Sequence, residues 1–257
     1  MTGSDSVLKT RVMPTLLFKD LGLVKGVRFD SWRRVGGVMQ SVKVYNMREV
    51  DELVFLDITA TREGREPDFE LVDDIADECF MPLTVGGGIR SLEDVRRLLA
   101  VGADKIALNT SAVRSRGLVE QTAETFGAQC VVASIDATRR DDGRYEVLVA
   151  SGTEHTGLDP VDHAGELEAR GAGEILITSV DRDGTMEGYD LELIEAVAAR
   201  VTVPVIASGG AGTYAHMADA LSAGAAAVAA ASIFHFTEQT PLEAKRYLRA
   251  RGVAVRI

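Results

Sequence analysis

The chain has 257 residues, 46% of them hydrophobic, and carries 39 acidic against 28 basic side chains, for a formal net charge of -11. This balance argues against a nucleic-acid surface, which needs clustered cations, and no apolar run approaches membrane-spanning length. Residues 1–8 are polar and lack the apolar core of a signal segment, so a cytoplasmic location with no membrane contact is expected.

Taken in chain order, short β-branched runs at 12–18, 53–57, 83–86, 105–109, 130–136, 174–179, 205–208 and 227–231 read as strands. Amphipathic stretches near 38–49, 67–78, 91–101, 115–126, 160–170, 190–200, 214–223 and 240–251 read as helices. Pro67, Pro160 and Pro241 stand near helix starts, and Gly102, Gly171 and Gly224 follow helix ends. Ser91 with Asp94 has the form of an N-terminal cap. The segment holding Lys19, Lys25, Arg28, Arg33 and Arg34 is locally basic, the likeliest place for an acidic chain to focus positive charge on an anionic ligand.

Residues 49–112 and 171–234 overlay without gaps at a constant offset of 122. Glu52 falls on Glu174, Pro82 on Pro204, Gly87 on Gly209, Gly88 on Gly210, Gly102 on Gly224, Ala103 on Ala225 and Thr110 on Ser232. The chain therefore reads as two copies of one βαβα unit. Eight strands alternating with eight helices over this length imply an α/β fold, a (β/α)8 TIM barrel formed as one domain over 1–257 from half-barrels of about 1–128 and 129–257. Chemistry is then expected at the C-terminal ends of the strands.

The Gly86-Gly87-Gly88 turn and its repeat mate Gly209-Gly210 let the backbone approach a ligand and present N–H donors. Beside them, Asn109-Thr110 and Ala231-Ser232 end neighbouring strands with hydroxyls and helix-start N–H groups. Two such turns predict two phosphate cradles facing each other across one mouth. Cys79 and Cys130 support neither a disulfide framework nor a metal site, and His155, His163, His216 and His235 show no ligand spacing, so no metal and no cofactor is expected.

The runs Asp51-Glu52-Leu53-Val54-Phe55-Leu56-Asp57, Thr84-Val85-Gly86-Gly87-Gly88, Asp181-Arg182-Asp183-Gly184-Thr185, Ser208-Gly209-Gly210 and Ile233-Phe234-His235-Phe236 resemble the cyclase subunit of imidazole glycerol phosphate synthase (HisF) over nearly the whole chain. The resemblance implies a lyase-family barrel without a cofactor that takes ammonia from a glutaminase (HisH-like) subunit. It also implies that Lys25 contacts substrate and that Gly88, Asn109, Thr110, Asp183, Gly184, Gly210, Ala231 and Ser232 hold the phosphates of a phosphorylated small molecule. Arg11, Glu52, Lys105 and Glu174 match the family's ammonia gate, and Asp104 its docking position. Of the two facing carboxylates that serve there as general acid and base, Asp136 is present, and Leu17 occupies the other position. Asp20, three residues on, is expected to be a turn residue that points away. A subgroup similar in its Leu16-Leu17 pair works with a glutaminase and a separate sugar amidotransferase in surface-polysaccharide pathways, supplying ammonia for acetamidino-sugar formation. That is the leading expectation. A true cyclase of histidine biosynthesis is second, and a noncatalytic scaffold third.

Overall fold

The computed structural model describes residues 9–257, so the polar stretch at 1–8 lies outside the described residues. In chain order the strands are β1 (Arg11–Lys19), β2 (Gly22–Val27), β3 (Asp30–Gly36), β4 (Leu53–Asp57), β5 (Leu83–Gly86), β6 (Lys105–Leu108), β7 (Val131–Arg139), β8 (Tyr145–Val149), β9 (Glu154–His155), β10 (Glu174–Ser179), β11 (Val205–Ser208) and β12 (Ala227–Ala230). The helices are α1 (Val38–Met47), α2 (Ala60–Glu63), α3 (Phe69–Glu78), α4 (Leu92–Ala100), α5 (Thr110–Arg114), α6 (Gly117–Phe126), α7 (Pro160–Ala169), α8 (Leu191–Arg200), α9 (Tyr214–Ser222), α10 (Ser232–Phe236) and α11 (Pro241–Arg249). Eight strands, β1, β4, β5, β6, β7, β10, β11 and β12, pair in parallel in that order, and β12 returns to β1 with Arg11 opposite Ala227. The sheet closes into a (β/α)8 barrel.

The repeat is preserved element by element. Shifted by 122, α3, β5, α4, β6 and α5 coincide at both ends with α8, β11, α9, β12 and α10. The caps repeat too: Asp68 accepts from Leu71 N and Asp190 from Leu193 N, while Ser91 accepts from Asp94 N and Thr213 from His216 N. Ser91 and Asp94 complete a reciprocal capping box. After α4 and α9 the chain leaves through Gly102 (φ 103°) and Gly224 (φ 102°), where an added Cβ would sit 2.6 Å from Ala76 Cβ and 2.9 Å from Ala198 Cβ. Those glycines set how closely consecutive helices pack.

Strand alternation divides the interior. Outward-facing Val12, Leu16, Phe55, Ile106, Val131, Ile135, Ile175 and Val228 join the helices in one large core. Inward-facing Met13, Val54, Ala107, Val132, Leu176, Ile206, Ala227 and Ala229 form a second, smaller apolar belt inside the barrel.

The two hairpins are departures from the expected pattern. Residues 19–37, expected as a locally basic segment, form β2, which pairs with β1, and β3, which pairs with β2, while 145–155 form β8, which pairs with β7, and β9, which pairs with β8. β2 and β8 are largely buried, whereas β3 and β9 are mostly exposed and carry few apolar residues. The expected helix near 115–126 is α6, preceded by a separate short helix α5, and Cys130 lies in a short 3-10 turn just before β7.

The last helix is clasped to the start of the barrel by buried charge. Lys245 Nζ donates to Glu49 O at 2.7 Å and lies 3.3 Å from Asp51 Oδ1, and Asp51 Oδ2 accepts from Val12 N at 3.0 Å. The Lys245 and Asp51 side chains are 2% and 1% exposed. Removing one member strands the other charge in the interior, so Lys245→Met is expected to lose roughly 3–5 kcal/mol in urea denaturation. Adding Asp51→Asn, which keeps an acceptor for Val12 N, should recover much of that loss.

Candidate functional site

At the N-terminal end of the barrel, four charges on four strand starts form a closed ring. Arg11 reaches Glu52 at 2.6 Å and Glu174 at 2.8 Å; Lys105 reaches the same two carboxylates at 2.9 and 3.0 Å. Each acid thus bridges both bases, and Thr84 Oγ1 adds a bond to Glu52 at 2.7 Å. Burial works against the charge of Arg11, but Glu174 and Glu52 outweigh it and hold its pKa above the ordinary value. The two anions are repeat mates, whereas both cations come from the first half of the chain. Asp104 is exposed beside the ring, and its carboxylate accepts from Leu83 N at 2.8 Å, fixing the start of β5.

Above the ring comes the apolar belt, and above the belt the mouth. The cavity there is lined by Thr15, Leu17, Lys25, Leu56, Asp57, Asn109, Ser134, Asp136, Thr178, Asp183 and Ser208, and by the glycine turns at 86–88 and 209–210. The structure therefore brings together the expected residues from both halves, including Thr110, Gly184, Ala231 and Ser232.

Asp136 projects from β7, the fifth barrel strand, and accepts from Asn109 Nδ2 at 3.1 Å. Burial of its carboxyl, with the negative charge of Asp183 as a second cause, raises its pKa to about 7, near the value suited to proton transfer at neutral pH. Across the mouth, Leu17 on β1 lines the cavity and is 9% exposed. Asp20 is an exposed turn residue with φ 56°, outside the cavity lining.

Lys25 and Asp183 stand differently from expectation. The Lys25 ammonium is buried and lies 2.6 Å from Asp183 Oδ2, so each supplies the other's countercharge. Burial raises the Asp183 pKa while Lys25 opposes the rise. The Asp183 carboxylate thus anchors Lys25 at the mouth. Gly184 packs against β2, where an added Cβ would meet Gly26 O at 2.2 Å.

The first glycine turn is partly self-satisfied. Gly88 (φ 74°) donates to Thr61 Oγ1 at 3.2 Å, and an added Cβ would fall 2.9 Å from Arg65 O. At Gly210 (φ 109°) it would fall 2.1 Å from Gly188 O. Both turns need glycine for packing as well as for approach to the cavity. Thr110 Oγ1 accepts from Ala150 N at 2.9 Å, whereas its repeat mate Ser232 has a buried hydroxyl with no partner among the described residues.

Both hairpins roof the mouth. An added Cβ at Gly152, in the β8–β9 turn, would lie 2.8 Å from Phe29 at the β2–β3 turn, so the two tips touch. Arg28, Phe29, Ala150 and Ser151 have φ between 51° and 58°, a left-handed conformation disfavoured for side-chain-bearing residues. The sequence reading missed Phe29, Trp32 and Thr15 as cavity residues. The alternation Arg11, Met13, Thr15, Leu17 carries the signal for Thr15. Trp32 and Phe29 had none, since their position depends on the hairpin.

A closed (β/α)8 barrel with a ligand-sized mouth at the C-terminal ends of its strands and a charged ring at the other end defines the class. The sequence profile of the histidine biosynthesis protein family matches residues 11–240, and the chain belongs to that family.

The raised pKa of Asp136 sets a pH dependence. From the ordinary carboxylate range near 4 up to about 7, the native state keeps a proton that the unfolded chain has lost. Stability should fall as pH rises through that window and level off above it. Asp136→Asn is expected to flatten this slope in denaturation measured from pH 4 to 8. At pH 8 it should be the more stable protein, because its neutral amide leaves no charge buried there.

Proposed function

We propose that this protein is a HisF-like barrel subunit of a glutamine-dependent amidotransferase system. A glutaminase partner docks on the N-terminal face, and ammonia passes through the ring and the belt to the mouth. There it serves acetamidino-sugar formation in surface-polysaccharide biosynthesis, with a separate sugar amidotransferase as acceptor. The observation that carries this reading is the pairing of an intact four-charge ring with a mouth in which Leu17 faces Asp136. An apolar side chain takes no proton, so half of a cyclase's acid/base pair is missing at that position. The belt of Met13, Val54, Val132, Leu176 and Ile206 favours neutral ammonia over ammonium, because burying an unpaired charge is costly.

The second reading, ring closure in histidine biosynthesis, has one observation on its side. Asp183 lies near enough to Asp136 to raise its pKa, so the mouth keeps two interacting carboxylates. Turnover of the cyclase's substrate with free ammonium decides between the readings. The first expects a rate about 10²–10⁴-fold below that of an Asp-containing relative, with partial recovery in Leu17→Asp. Comparable turnover by the unaltered protein would establish the cyclase. Docking has its own test: Lys105→Glu, which places a third carboxylate in the ring, should lower glutaminase stimulation. Undiminished stimulation would move the docking face elsewhere.

The glycine turns are proposed to cradle the anionic groups of a phosphorylated ligand. Crystals soaked in inorganic phosphate are expected to hold one anion by Gly88, Asn109 and Thr110 and another by Gly210, Ala231 and Ser232. Two empty turns would reduce these glycines to packing positions.

A further inference from the structure

Thr15 Oγ1 and Ser232 Oγ are buried without a hydrogen-bond partner among the described residues, and both residues line the mouth. Thr15 is 8% and Ser232 5% exposed. They lie on adjacent walls: Pro14 on β1 is in register with Ala230 on β12, and Thr15 and Ser232 follow that pair. Buried hydroxyls are rarely left unsatisfied, because an unmade bond costs stability. Thr15 also belongs to neither glycine turn.

The surroundings of this corner specify what would complete it. On the inward face of β1, Thr15 has Met13 of the apolar belt on one side and Leu17 on the other. Lys25 is already held by Asp183, and Asp136 projects from the opposite side of the barrel. Around Thr15 itself a charged ligand group would find no free countercharge, because Lys25 is paired and burial lowers the pKa of the neighbouring His235. The Thr15 hydroxyl, able to donate once and accept twice, suits a neutral group that also donates and accepts.

We propose that Thr15 binds a neutral hydroxyl or amide group of a sugar phosphate whose phosphate lies in the adjoining turn of Gly210, Ala231 and Ser232. This rests on the reading of the mouth as a site for a phosphorylated small molecule. Thr15 is a binding residue that sets which sugar is accepted; its hydroxyl moves no proton.

Trp32 is the only tryptophan of the chain and lines the same cavity, so its fluorescence reports occupancy directly. The probes are inorganic phosphate, ribose 5-phosphate, glucose 6-phosphate and N-acetylglucosamine 6-phosphate, titrated into the full-length protein, Thr15→Val and Thr15→Ser. At least one sugar phosphate should bind more tightly than inorganic phosphate. Thr15→Val should lose roughly three- to tenfold of that gain, the worth of one neutral hydrogen bond, with phosphate affinity unchanged and Thr15→Ser retaining most of it. Loss confined to the N-acetylated sugar assigns the amide, and loss shared with the others assigns a hydroxyl. Since the hydroxyl has no partner in the free protein, Thr15→Val should leave the unliganded Tm unchanged or raised. The proposal is overturned if no sugar phosphate exceeds inorganic phosphate, if Thr15→Val weakens all probes alike or none, or if it lowers the unliganded Tm by several degrees. Thr15-dependent sugar binding without inorganic phosphate binding would sink the glycine-turn reading and keep only the assignment of Thr15 as the sugar-binding residue.

Discussion

Barrel closure is the constraint on which the rest of the molecule depends. The β12–β1 ladder, with Arg11 opposite Ala227 and Pro14 opposite Ala230, fixes which residues of eight strands share a layer. A shift of one residue would turn Arg11, Met13, Thr15 and Leu17 out toward the helices and bring Val12 and Leu16 inward. The register is held at the seam by buried polar groups: Asp51 receives the Val12 amide and is neutralised by Lys245 from the last helix. Arg11 and Glu52 adjoin those two anchored positions, and their ion pair is the shortest in the ring.

Layering then sorts the chemistry along the barrel axis. Charges that satisfy one another stand at the strand starts, a belt with no polar side chain follows, and hydroxyls, carboxylates and glycine turns lie at the strand ends. Within the mouth the electrostatics are economical. Lys25 and Asp183 cancel each other, leaving Asp136 as the carboxyl whose proton is held near neutral pH. Leu17 adds apolar surface on the facing wall. The symmetry of the repeat supplies the two turns, but their hydroxyls differ in use: Thr110 ties down the β8–β9 turn, while Ser232 is left for something else.

The hairpins break the economy of the frame. One springs from each half, and they meet at Phe29 and Gly152 through turns that place side-chain-bearing residues in left-handed conformations. Such turns are disfavoured on their own and persist where surrounding contacts fix them. Here the contacts are Lys25 on Asp183, Ala150 on Thr110 and Ser151 Oγ on Ile58 O at 2.6 Å, so the roof is anchored to the same strand ends that form the site.

Much of this was legible in the chain because the barrel is built from local, repeated signals. The eight strands, the helix starts at Ser91, Pro160 and Pro241 and the offset of 122 follow from periodicity and capping, which depend on neighbours a few residues away. The same offset makes Glu52 and Glu174 equivalent at their strand starts. Membership of the histidine biosynthesis family accords with the motifs at 84–88 and 207–210. What the tertiary structure alone decided are the pairings across long separations. Lys25 with Asp183, Thr110 with Ala150, and Lys245 with Asp51 each join residues 40 to 194 positions apart. Whether a charged side chain meets a ligand or an internal partner depends on which loop folds over it, and no local pattern encodes that. The sequence therefore determined where the site would be, and the packing of the two hairpins determined which of its groups remain free to act.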